Sequence, residues 1–257
     1  MTLPVAILAG GLATRLRPIT TQIPKSLVQV AGKPFAIHQL ELLARHGITN
    51  VVFCVGYLGE QIQATLGDGR RWGMHLEYIF DGEKLLGTGG ALIRAIPLLG
   101  ETFFVLYGDS YLECDYALIE RAFFASDKAG LMTVYQNDNA WDRSNVEYRG
   151  GYILHYDKKQ RTPEMKHIDY GLGVLDASAL ADYTPDAALD LAEIYQKLLA
   201  QDQLAGFEVK QRFYEIGSLD GLAETDTYLR GKSNDNLYAA TSARDESDRR
   251  TDRSECD

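Results

Sequence analysis

The sequence predicts an α/β fold built on a mostly parallel, doubly wound sheet. Short apolar strands alternate with amphipathic helices as far as about Asp115, and the strands are continuously apolar rather than alternating. Such strands are buried on both faces, as happens when helices cover both sides of a parallel sheet. The chain has 257 residues, 46% of them hydrophobic, which is sufficient for one large domain of this type.

The individual elements follow from apolar spacing and from the positions of glycine and proline. In the first half, strands are predicted at Val5–Leu8, Asn50–Val55, Leu76–Phe80 and Thr102–Tyr107. Helices are predicted between them at Pro34–His46, Gly59–Leu66 and Thr88–Leu98. The first of these helices has apolar residues on one face and ends before Gly47, a residue typical of a helix C-terminus.

After about Asp115 the alternation becomes less regular. The predicted elements are helices at Tyr116–Ser126 and Leu189–Gln201 and strands at Gly130–Gln136, Tyr170–Leu175 and Phe213–Ile216. Residues 145–156 carry Gly150-Gly151 between two short apolar stretches, a pattern typical of a hairpin. Residues 231–257 are rich in Ser, Asp, Arg and Asn, so we expect one domain over 1–230 followed by a polar, disordered tail.

Composition excludes several classes of protein. The formal net charge of −10 disfavours nucleic-acid binding, because a phosphate backbone requires a basic face. Cys54, Cys114 and Cys256 are odd in number and form no CxxC pair, which indicates free thiols in a reducing compartment. Because there is no leader-like start and no apolar run of about 20 residues, we expect a cytoplasmic protein that does not bind a membrane.

The first candidate site is the segment that follows the first strand, LAGGLATRLRP over residues 8–18. The glycines Gly10 and Gly11 let backbone N–H groups approach a phosphate, and Arg15 can bind phosphate oxygens with two hydrogen bonds. The pattern is neither GxGxxG nor GxxxxGK[ST], which disfavours a dinucleotide fold and a P-loop NTPase. Taken alone, a glycine-rich strand end is a structural turn about as often as a binding site.

Three further charged residues are placed to join this segment. Lys25 follows the glycine loop closely, with Pro24 fixing the backbone before it. Asp109 comes directly after an apolar strand, where a carboxylate can hold Mg²⁺ against phosphate oxygens, and Glu215 follows another predicted strand. Each also has a plain structural interpretation, as a surface lysine or a capping acid.

Together these segments resemble the sugar-1-phosphate nucleotidyltransferase family, of the glucose-1-phosphate thymidylyltransferase type. The opening motif of that family, LAGGxGTRLxPxT followed by PK, matches residues 8–20, except at Ala13, and residues 24–25. The resemblance continues through residues 86–91 (LGTGGA), 108–109 (GD) and 215–218 (EIGS), and covers residues 3–230. It implies a Rossmann-like, GT-A-type sheet with a small β-hairpin addition that binds the sugar.

The resemblance also implies a role for each segment. Arg15, Lys25 and Asp109 would be catalytic, and Asp109 would hold Mg²⁺ together with Glu215. Residues expected to bind the nucleotide are Leu8, Ala9, Gly10, Gly11, Thr14, Glu83, Gly87 and Thr88. Residues expected to bind the sugar phosphate are Gly108, Asn145, Lys158 and Gly171.

The chain departs from the family pattern at three places. Ala13 replaces the usual third glycine, which costs about 1 kcal/mol if the position has positive φ. Glu215 replaces the usual aspartate, and its longer arm can still reach a metal. The second lysine of the family is not clear, because Lys158, Lys159 and Lys166 are all candidates.

The expected substrates are GTP and a sugar 1-phosphate of heptose or mannose type, with a nucleoside-diphosphate sugar and pyrophosphate as products. Residues 86–91 and 213–218 resemble heptose 1-phosphate guanylyltransferases, and Asp81 or Glu83 can accept hydrogen bonds from guanine N1 and N2 or remain solvated.

The alternatives are a uridylyltransferase acting on a hexose or amino-sugar 1-phosphate and a non-catalytic regulatory subunit that binds a nucleotide sugar. A glycosyltransferase is disfavoured because Asp109 begins no DxD motif. The family resemblance leaves open whether the chain forms a homo-oligomer.

Overall fold

The computed structural model describes residues 2–82, 84–184 and 188–232. The strands are β1 (Val5–Ala9), β2 (Gln29–Val30), β3 (Lys33–Pro34), β4 (Asn50–Val55), β5 (His75–Phe80), β6 (Thr102–Tyr107), β7 (Ser110–Tyr111), β8 (Gly130–Gln136), β9 (Val146–Arg149), β10 (Tyr152–Tyr156), β11 (His167–Asp176), β12 (Leu204–Val209) and β13 (Tyr214–Glu215). The helices are α1 (Phe35–Arg45), α2 (Gly59–Leu66), α3 (Gly87–Leu99), α4 (Tyr116–Ser126) and α5 (Leu191–Ala200), followed by α6 over residues 219–232. Single-turn 3₁₀ helices lie at Thr14–Leu16, Ile19–Thr21, Lys25–Leu27, Arg70–Trp72 and Ala177–Leu180.

One large sheet forms the centre of the fold. Its main path runs β10-β9-β11-β6-β1-β4-β5, and β8 and β12 extend from β11. The strands β5, β4, β1 and β6 are parallel, whereas β11 is antiparallel to β6. The structure therefore confirms the predicted α/β fold and adds that the sheet is mixed, with four adjacent parallel strands from the first half of the chain.

Helices cover both faces of the sheet, so the predicted doubly wound arrangement is confirmed. Alternate residues of β1 point to opposite sides, with Val5 and Ile7 in one core and Ala6 in the other. Helices α1, α2 and α4 pack on the first face, and α3 and α5 pack on the second. Because both faces are covered, only the edges and ends of the strands remain for binding a ligand.

The structure confirms the predicted hairpin and adds four strands, the short β2, β3 and β7 and the longer β12. Strands β9 and β10 pair antiparallel around Gly150 and Gly151, whose φ values of 60° and 92° suit glycine. The prediction missed β12, which pairs in parallel with β8. Gly206 in the middle of β12 interrupts the apolar pattern, and a glycine in a strand weakens the local signal.

A small third core fastens the end of the described chain to the sheet. Val30, Phe35, Tyr111, Ile216 and Leu229 pack together there, and they come from five separate segments. Helix α6 extends to residue 232, two residues past the predicted domain boundary. The rest of the predicted tail lies outside the described residues.

The described cysteines are unpaired, and the described helices are too short or too polar to span a membrane. Cys54 and Cys114 are buried free thiols, as expected, and Cys256 lies outside the described residues. Among the described helices, none has the length and apolar character needed to cross a membrane.

A buried histidine makes stability depend on pH. The ring of His38 is almost fully buried, and its Nε2 lies 2.8 Å from the carbonyl oxygen of Val30. Burial lowers the pKa of His38 below its ordinary value, and the neighbouring Lys33 adds to this effect. The folded protein therefore binds this proton less readily than the unfolded chain does.

We predict that the free energy of unfolding decreases as pH falls from about 7.5 to about 5.5, and that the decrease is smaller in the variant His38→Gln. Glutamine can donate a hydrogen bond to Val30 but cannot take up a proton. Urea denaturation of both proteins at the two pH values measures the difference. An equal decrease in both proteins would contradict the prediction.

Candidate active site

A cavity of about 240 Å³ opens where β1, β4, β5 and β6 end. Its lining residues are Leu8, Ala9, Gly10, Gly11, Lys25, Ser26, Cys54, Asp81, Leu85, Gly87, Thr88, Ala91, Tyr107 and Asp109. All the residues predicted to bind the nucleotide line it except Thr14 and Glu83. Thr14 lies on the exposed loop outside, and Glu83 lies outside the described residues.

The two central strands approach each other closely at this edge. The backbone N–H of Gly108 donates to the carbonyl of Leu8 at 3.0 Å. A Cβ added to Gly108 would lie 2.6 Å from that same oxygen, so only glycine fits. Gly108 was predicted to bind the sugar phosphate, and its role in the structure is to bring Asp109 beside the end of β1.

The opening loop contains the backbone strain predicted at Ala13. Ala13 has φ 47° and ψ 42°, the left-handed conformation that favours glycine. The hydroxyl of Thr20 holds the carbonyl of Ala13 at 2.8 Å. Arg15 follows in a 3₁₀ turn, on an exposed stretch of backbone from which its guanidinium extends toward Asp109.

Lys25 and Asp109 meet at the mouth of the cavity. Their Nζ and Oδ2 atoms are 2.6 Å apart, and each side chain is about a quarter exposed, 23% and 24%. Burial raises the pKa of Asp109, but the charges of Lys25 and Arg15 outweigh burial and hold that pKa below its ordinary value. Asp109 is therefore ionised at neutral pH and paired with an ammonium group.

Glu215 is placed beside Asp109 by a short antiparallel pairing. Strand β13 sets Glu215 opposite Ser110 of β7, and the N–H of Ile216 donates to the carbonyl of Asp109 at 2.9 Å. The next turn orients the Glu215 side chain, because its carboxylate accepts hydrogen bonds from the N–H of Gly217 and, at 2.8 Å, from the Ser218 hydroxyl.

Three predicted functional groups converge at Gly217. A Cβ added there would lie 2.5 Å from Glu215 Oε2, 3.1 Å from Arg15 Nη2 and 3.2 Å from Asp109 Oδ2. Burial raises the pKa of Glu215, the nearby Asp109 raises it further, and hydrogen bonds from Ser218 and Gly217 oppose the increase. The structure thus brings together side chains that lie 200 residues apart in sequence, Arg15 and Glu215.

The donor set at this point fits Mg²⁺. Asp109 and Glu215 supply hard carboxylate oxygens at the edge of the cavity, and Mg²⁺ sites commonly use one or two carboxylates with substrate phosphates and water. Within the part of the chain that the structure describes, there is no cluster of three or more metal-binding side chains.

Of the three candidate lysines for the sugar phosphate, Lys158 is the one that turns inward. Its Nζ donates to the hydroxyl of Tyr107 at 3.2 Å and lies 3.9 Å from Asp190. Lys159 and Lys166 are exposed. Tyr107 lines the cavity, so Lys158 lies close to its wall.

The remaining residues predicted for the sugar phosphate shape the same wall. The amide oxygen of Asn145 accepts the N–H of Asp169 at 2.9 Å. Gly171 has φ 96° within an irregularity of β11, and a Cβ there would lie 3.2 Å from Tyr107 Cδ2. Both residues therefore position the strand behind Tyr107.

Gly87 and Thr88 connect the cavity to helix α5. Gly87 has φ 71°, and a Cβ there would lie 2.6 Å from the carbonyl oxygen of Leu189. That oxygen accepts the N–H of Gly89 at 2.8 Å, and the Thr88 hydroxyl accepts the N–H of Leu191 at 2.8 Å. These hydrogen bonds tie the start of α3 to the start of α5 and occupy the N–H of Gly89.

Asp81 is a buried carboxylate at the end of β5. Its Oδ2 accepts the N–H of Leu86 at 3.3 Å, and its Oδ1 has no hydrogen-bond partner among the described residues. Burial raises the pKa of Asp81 above its ordinary value, although Leu86 and Arg94 oppose the increase. An acceptor of this kind in the cavity wall suits a ligand that carries hydrogen-bond donors.

The sequence analysis named neither Tyr107 nor Asp169 as a site residue, but the structure places Tyr107 in the cavity wall and Asp169 against it. Tyr107 ends the apolar strand β6, and its hydroxyl donates to Asp169 at 3.0 Å. Asp169 lies within β11, where most neighbouring residues are buried and apolar. An acidic residue inside an apolar strand needs buried partners, and that signal was available in the sequence.

Comparisons with known proteins identify the family. A family model described as nucleotidyl transferase matches residues 5–230, so the chain belongs to the nucleotidyl transferase family. A mannose-1-phosphate guanyltransferase from Schizosaccharomyces pombe is 28% identical over 87% of this chain, and the match spans 63% of that protein. A mannose-1-phosphate guanylyltransferase catalytic subunit beta from Drosophila melanogaster is 30% identical over 90% of this chain, and the match spans 65% of it. The chain thus covers less than two thirds of the length of these relatives.

Solved structures share the fold. A putative glucose-1-phosphate thymidylyltransferase from Bacillus anthracis superposes with a TM-score of 0.79 at 21% identity, covering 89% of this chain and 96% of that one. HddC from Yersinia pseudotuberculosis, in complex with GMP-PN, gives a TM-score of 0.76 at 24% identity and covers 89% of this chain and all of that one. At these identities the similarity is one of architecture.

The strain at Ala13 leads to a stability prediction. The variant Ala13→Gly should raise the free energy of unfolding by about 0.5–1 kcal/mol, because the relief of left-handed strain exceeds the extra unfolded-state entropy of glycine. Chemical denaturation measures the change. The matched control is Ala64→Gly, on the exposed face of α2, which should lower stability by about 1 kcal/mol. Loss of stability in both variants would show that Ala13 is unstrained.

Proposed function

We propose that this protein transfers a nucleoside monophosphate from a nucleoside triphosphate to a sugar 1-phosphate and releases pyrophosphate. The observation that carries the proposal is the meeting of Arg15, Lys25, Asp109 and Glu215, of which Lys25 and Asp109 line the cavity. Two cations and two carboxylates gathered beside the carboxyl ends of β1 and β6 suit a triphosphate with its metal.

The nucleotide in this proposal is GTP, and the sugar phosphate is of mannose or heptose type. Two relatives carry the name mannose-1-phosphate guanylyltransferase or guanyltransferase, and a structural neighbour was solved with GMP-PN. The buried, partly unpartnered carboxylate of Asp81 supports the same choice, because guanine presents two adjacent donors at N1 and N2. Uracil presents one donor between two carbonyl oxygens, so a uridylyltransferase is less well supported.

Catalysis would consist of alignment and charge stabilisation. An oxygen of the sugar phosphate attacks the α-phosphorus in line with the departing pyrophosphate, and as an anion it needs no strong base. Arg15 would bind the triphosphate and then the pyrophosphate, Lys25 would neutralise charge at the α-phosphate, and Lys158 would hold the sugar phosphate. Asp109 and Glu215 would hold Mg²⁺, which would supply positive charge to offset that of the phosphates.

The present contact between Lys25 and Asp109 is consistent with these roles. With their Nζ and Oδ2 atoms 2.6 Å apart, the ammonium neutralises the carboxylate before substrates bind. In the proposed complex Asp109 would hold the metal, and the Lys25 ammonium would then be available to the phosphates. The pairing therefore lowers the electrostatic cost of holding the ammonium and the carboxylate in the site before substrates bind.

A non-catalytic regulatory subunit is the second candidate. The departures that favoured it are Ala13 and Glu215. Glu215 nevertheless lies beside Asp109, and Ala13 adopts the left-handed conformation that a glycine would adopt. Because these substitutions leave the arrangement of Arg15 and Asp109 in place, catalysis is the better supported function.

The cytoplasmic location and the absence of a nucleic-acid or membrane partner belong to this proposal as well. The buried free thiols of Cys54 and Cys114 suit a reducing compartment. Homo-oligomer formation remains a separate proposal derived from the family resemblance.

The direct test is pyrophosphate release. The protein is incubated with Mg²⁺, with each of GTP, UTP, dTTP, CTP and ATP, and with the 1-phosphates of mannose, glucose, N-acetylglucosamine and D-glycero-D-manno-heptose. We expect release with GTP and a mannose- or heptose-type phosphate. Nucleotide binding without turnover in any combination would instead support the regulatory subunit.

The ion pair at the cavity mouth leads to a second prediction. Lys25→Ala should lower kcat/KM by at least about a hundredfold, because it removes a cation from the reacting phosphate. The matched control is Lys33→Ala, since Lys33 is also paired with a carboxylate, Glu41 at 2.5 Å, but lies away from the cavity. The control should keep its activity. Comparable kcat/KM values for Lys25→Ala and the wild type, both folded by circular dichroism, would exclude the proposed role.

A further inference from the structure

Lys158 is attached to the cavity wall through a neutral group. Its Nζ donates to the Tyr107 hydroxyl at 3.2 Å and lies 5.2 Å from the centre of the Tyr107 ring. The carboxylate of Asp190 is farther away, at 3.9 Å, and more than half exposed. The nearest polar contact of this ammonium is therefore a phenol rather than a carboxylate.

The phenol is itself held in one orientation by Asp169. The Tyr107 hydroxyl donates to Asp169 Oδ2 at 3.0 Å, and this hydrogen bond uses its only proton. Its lone pairs are left to accept from Lys158. Asp169 is fixed by the backbone, because its Oδ1 accepts the N–H of Gly171 at 3.1 Å, and its Oδ2 can also accept the Tyr156 hydroxyl at 3.3 Å.

This chain of hydrogen bonds separates the positive and negative charges by one phenol group. A carboxylate in direct contact would neutralise Lys158 and compete with an incoming phosphate, as happens for Lys25 and Asp109. A phenol fixes the position of the ammonium without cancelling its charge. Lys158 is thereby positioned and remains available to an anion.

We propose that Tyr107 and Asp169 are positioning residues that hold Lys158 in place for the phosphate of the sugar 1-phosphate. The proposal rests on the function proposed above. Neither residue needs to touch the reacting atoms, because both act through the Lys158 ammonium. The nucleotide side of the cavity, formed by the opening glycine loop, does not depend on this relay.

The test is a double-mutant cycle of Tyr107→Phe and Lys158→Ala, with GTP and mannose 1-phosphate as substrates. Phenylalanine keeps the packing of the ring and removes only the hydroxyl. In the wild-type background, Tyr107→Phe should raise the KM for mannose 1-phosphate about five- to tenfold and change the KM for GTP less than about twofold. In the Lys158→Ala background, it should change the KM for mannose 1-phosphate less than about twofold, because the group through which it acts is absent.

Two matched controls separate positioning from general damage. Tyr156→Phe removes the other hydroxyl bound to Asp169 Oδ2 but has no contact with Lys158, so the KM for mannose 1-phosphate should stay within about twofold. Lys159→Ala removes the exposed neighbouring lysine and should behave in the same way. Asp169→Asn should raise the KM for mannose 1-phosphate, as Tyr107→Phe does. The reason is that an amide can donate to the Tyr107 oxygen and compete with Lys158.

The outcomes distinguish the relay from the function on which it rests. If the wild type releases pyrophosphate but Tyr107→Phe leaves the KM for mannose 1-phosphate unchanged, the relay is wrong and the function stands. Equal effects of Tyr107→Phe in both backgrounds would show that it acts independently of Lys158, which also overturns the relay. A folded wild-type protein that neither turns over these substrates nor binds mannose 1-phosphate in calorimetry overturns both.

Discussion

The active-site edge depends on the close approach of two parallel strands, β1 and β6. The N–H of Gly108 reaches the carbonyl of Leu8 at 3.0 Å, and a side chain at this glycine would collide with that oxygen. Because of this contact, the glycine loop after β1 and Asp109 after β6 emerge side by side. The cavity, the ion pair with Lys25 and the neighbouring Glu215 all build on that juxtaposition. A bulkier residue at position 108 would separate the cationic and anionic halves of the site.

The chain is acidic overall, and two lysines beside the cavity are held in two different ways. Lys25 is paired directly with the carboxylate of Asp109, so its charge is neutralised. Lys158 is held by the phenol of Tyr107, and the charge of Asp169 lies one hydrogen bond farther away. The first arrangement suits a lysine that exchanges its carboxylate for a ligand, and the second suits a lysine whose charge stays available to an anion. Both follow from the preference of buried charges for defined hydrogen-bond partners.

The last part of the described chain completes the site from a distance. Strand β13 pairs with β7 and aligns Glu215 with Ser110, and the turn at Gly217 and Ser218 folds back onto the Glu215 carboxylate. The small core around Ile216 and the helix after it keep this turn in register. The longer arm of glutamate, compared with aspartate, is accommodated because its carboxylate accepts hydrogen bonds from its own turn. The orientation of the Glu215 carboxylate is thus tied to the local backbone.

The sequence by itself determined the fold class, the bounds of most strands and helices, and the segments that form the site, because apolar periodicity and glycine placement are local properties. It also predicted strain at Ala13, because an alanine at a position where the family has glycine is strained if its φ is positive, as it is here. Only the tertiary structure decided which of three lysines turns inward, and that Tyr107 and Asp169 join it. It alone showed that Gly87 and Thr88 support α5. These results depend on distances between residues far apart in sequence, which packing sets and a local pattern does not encode.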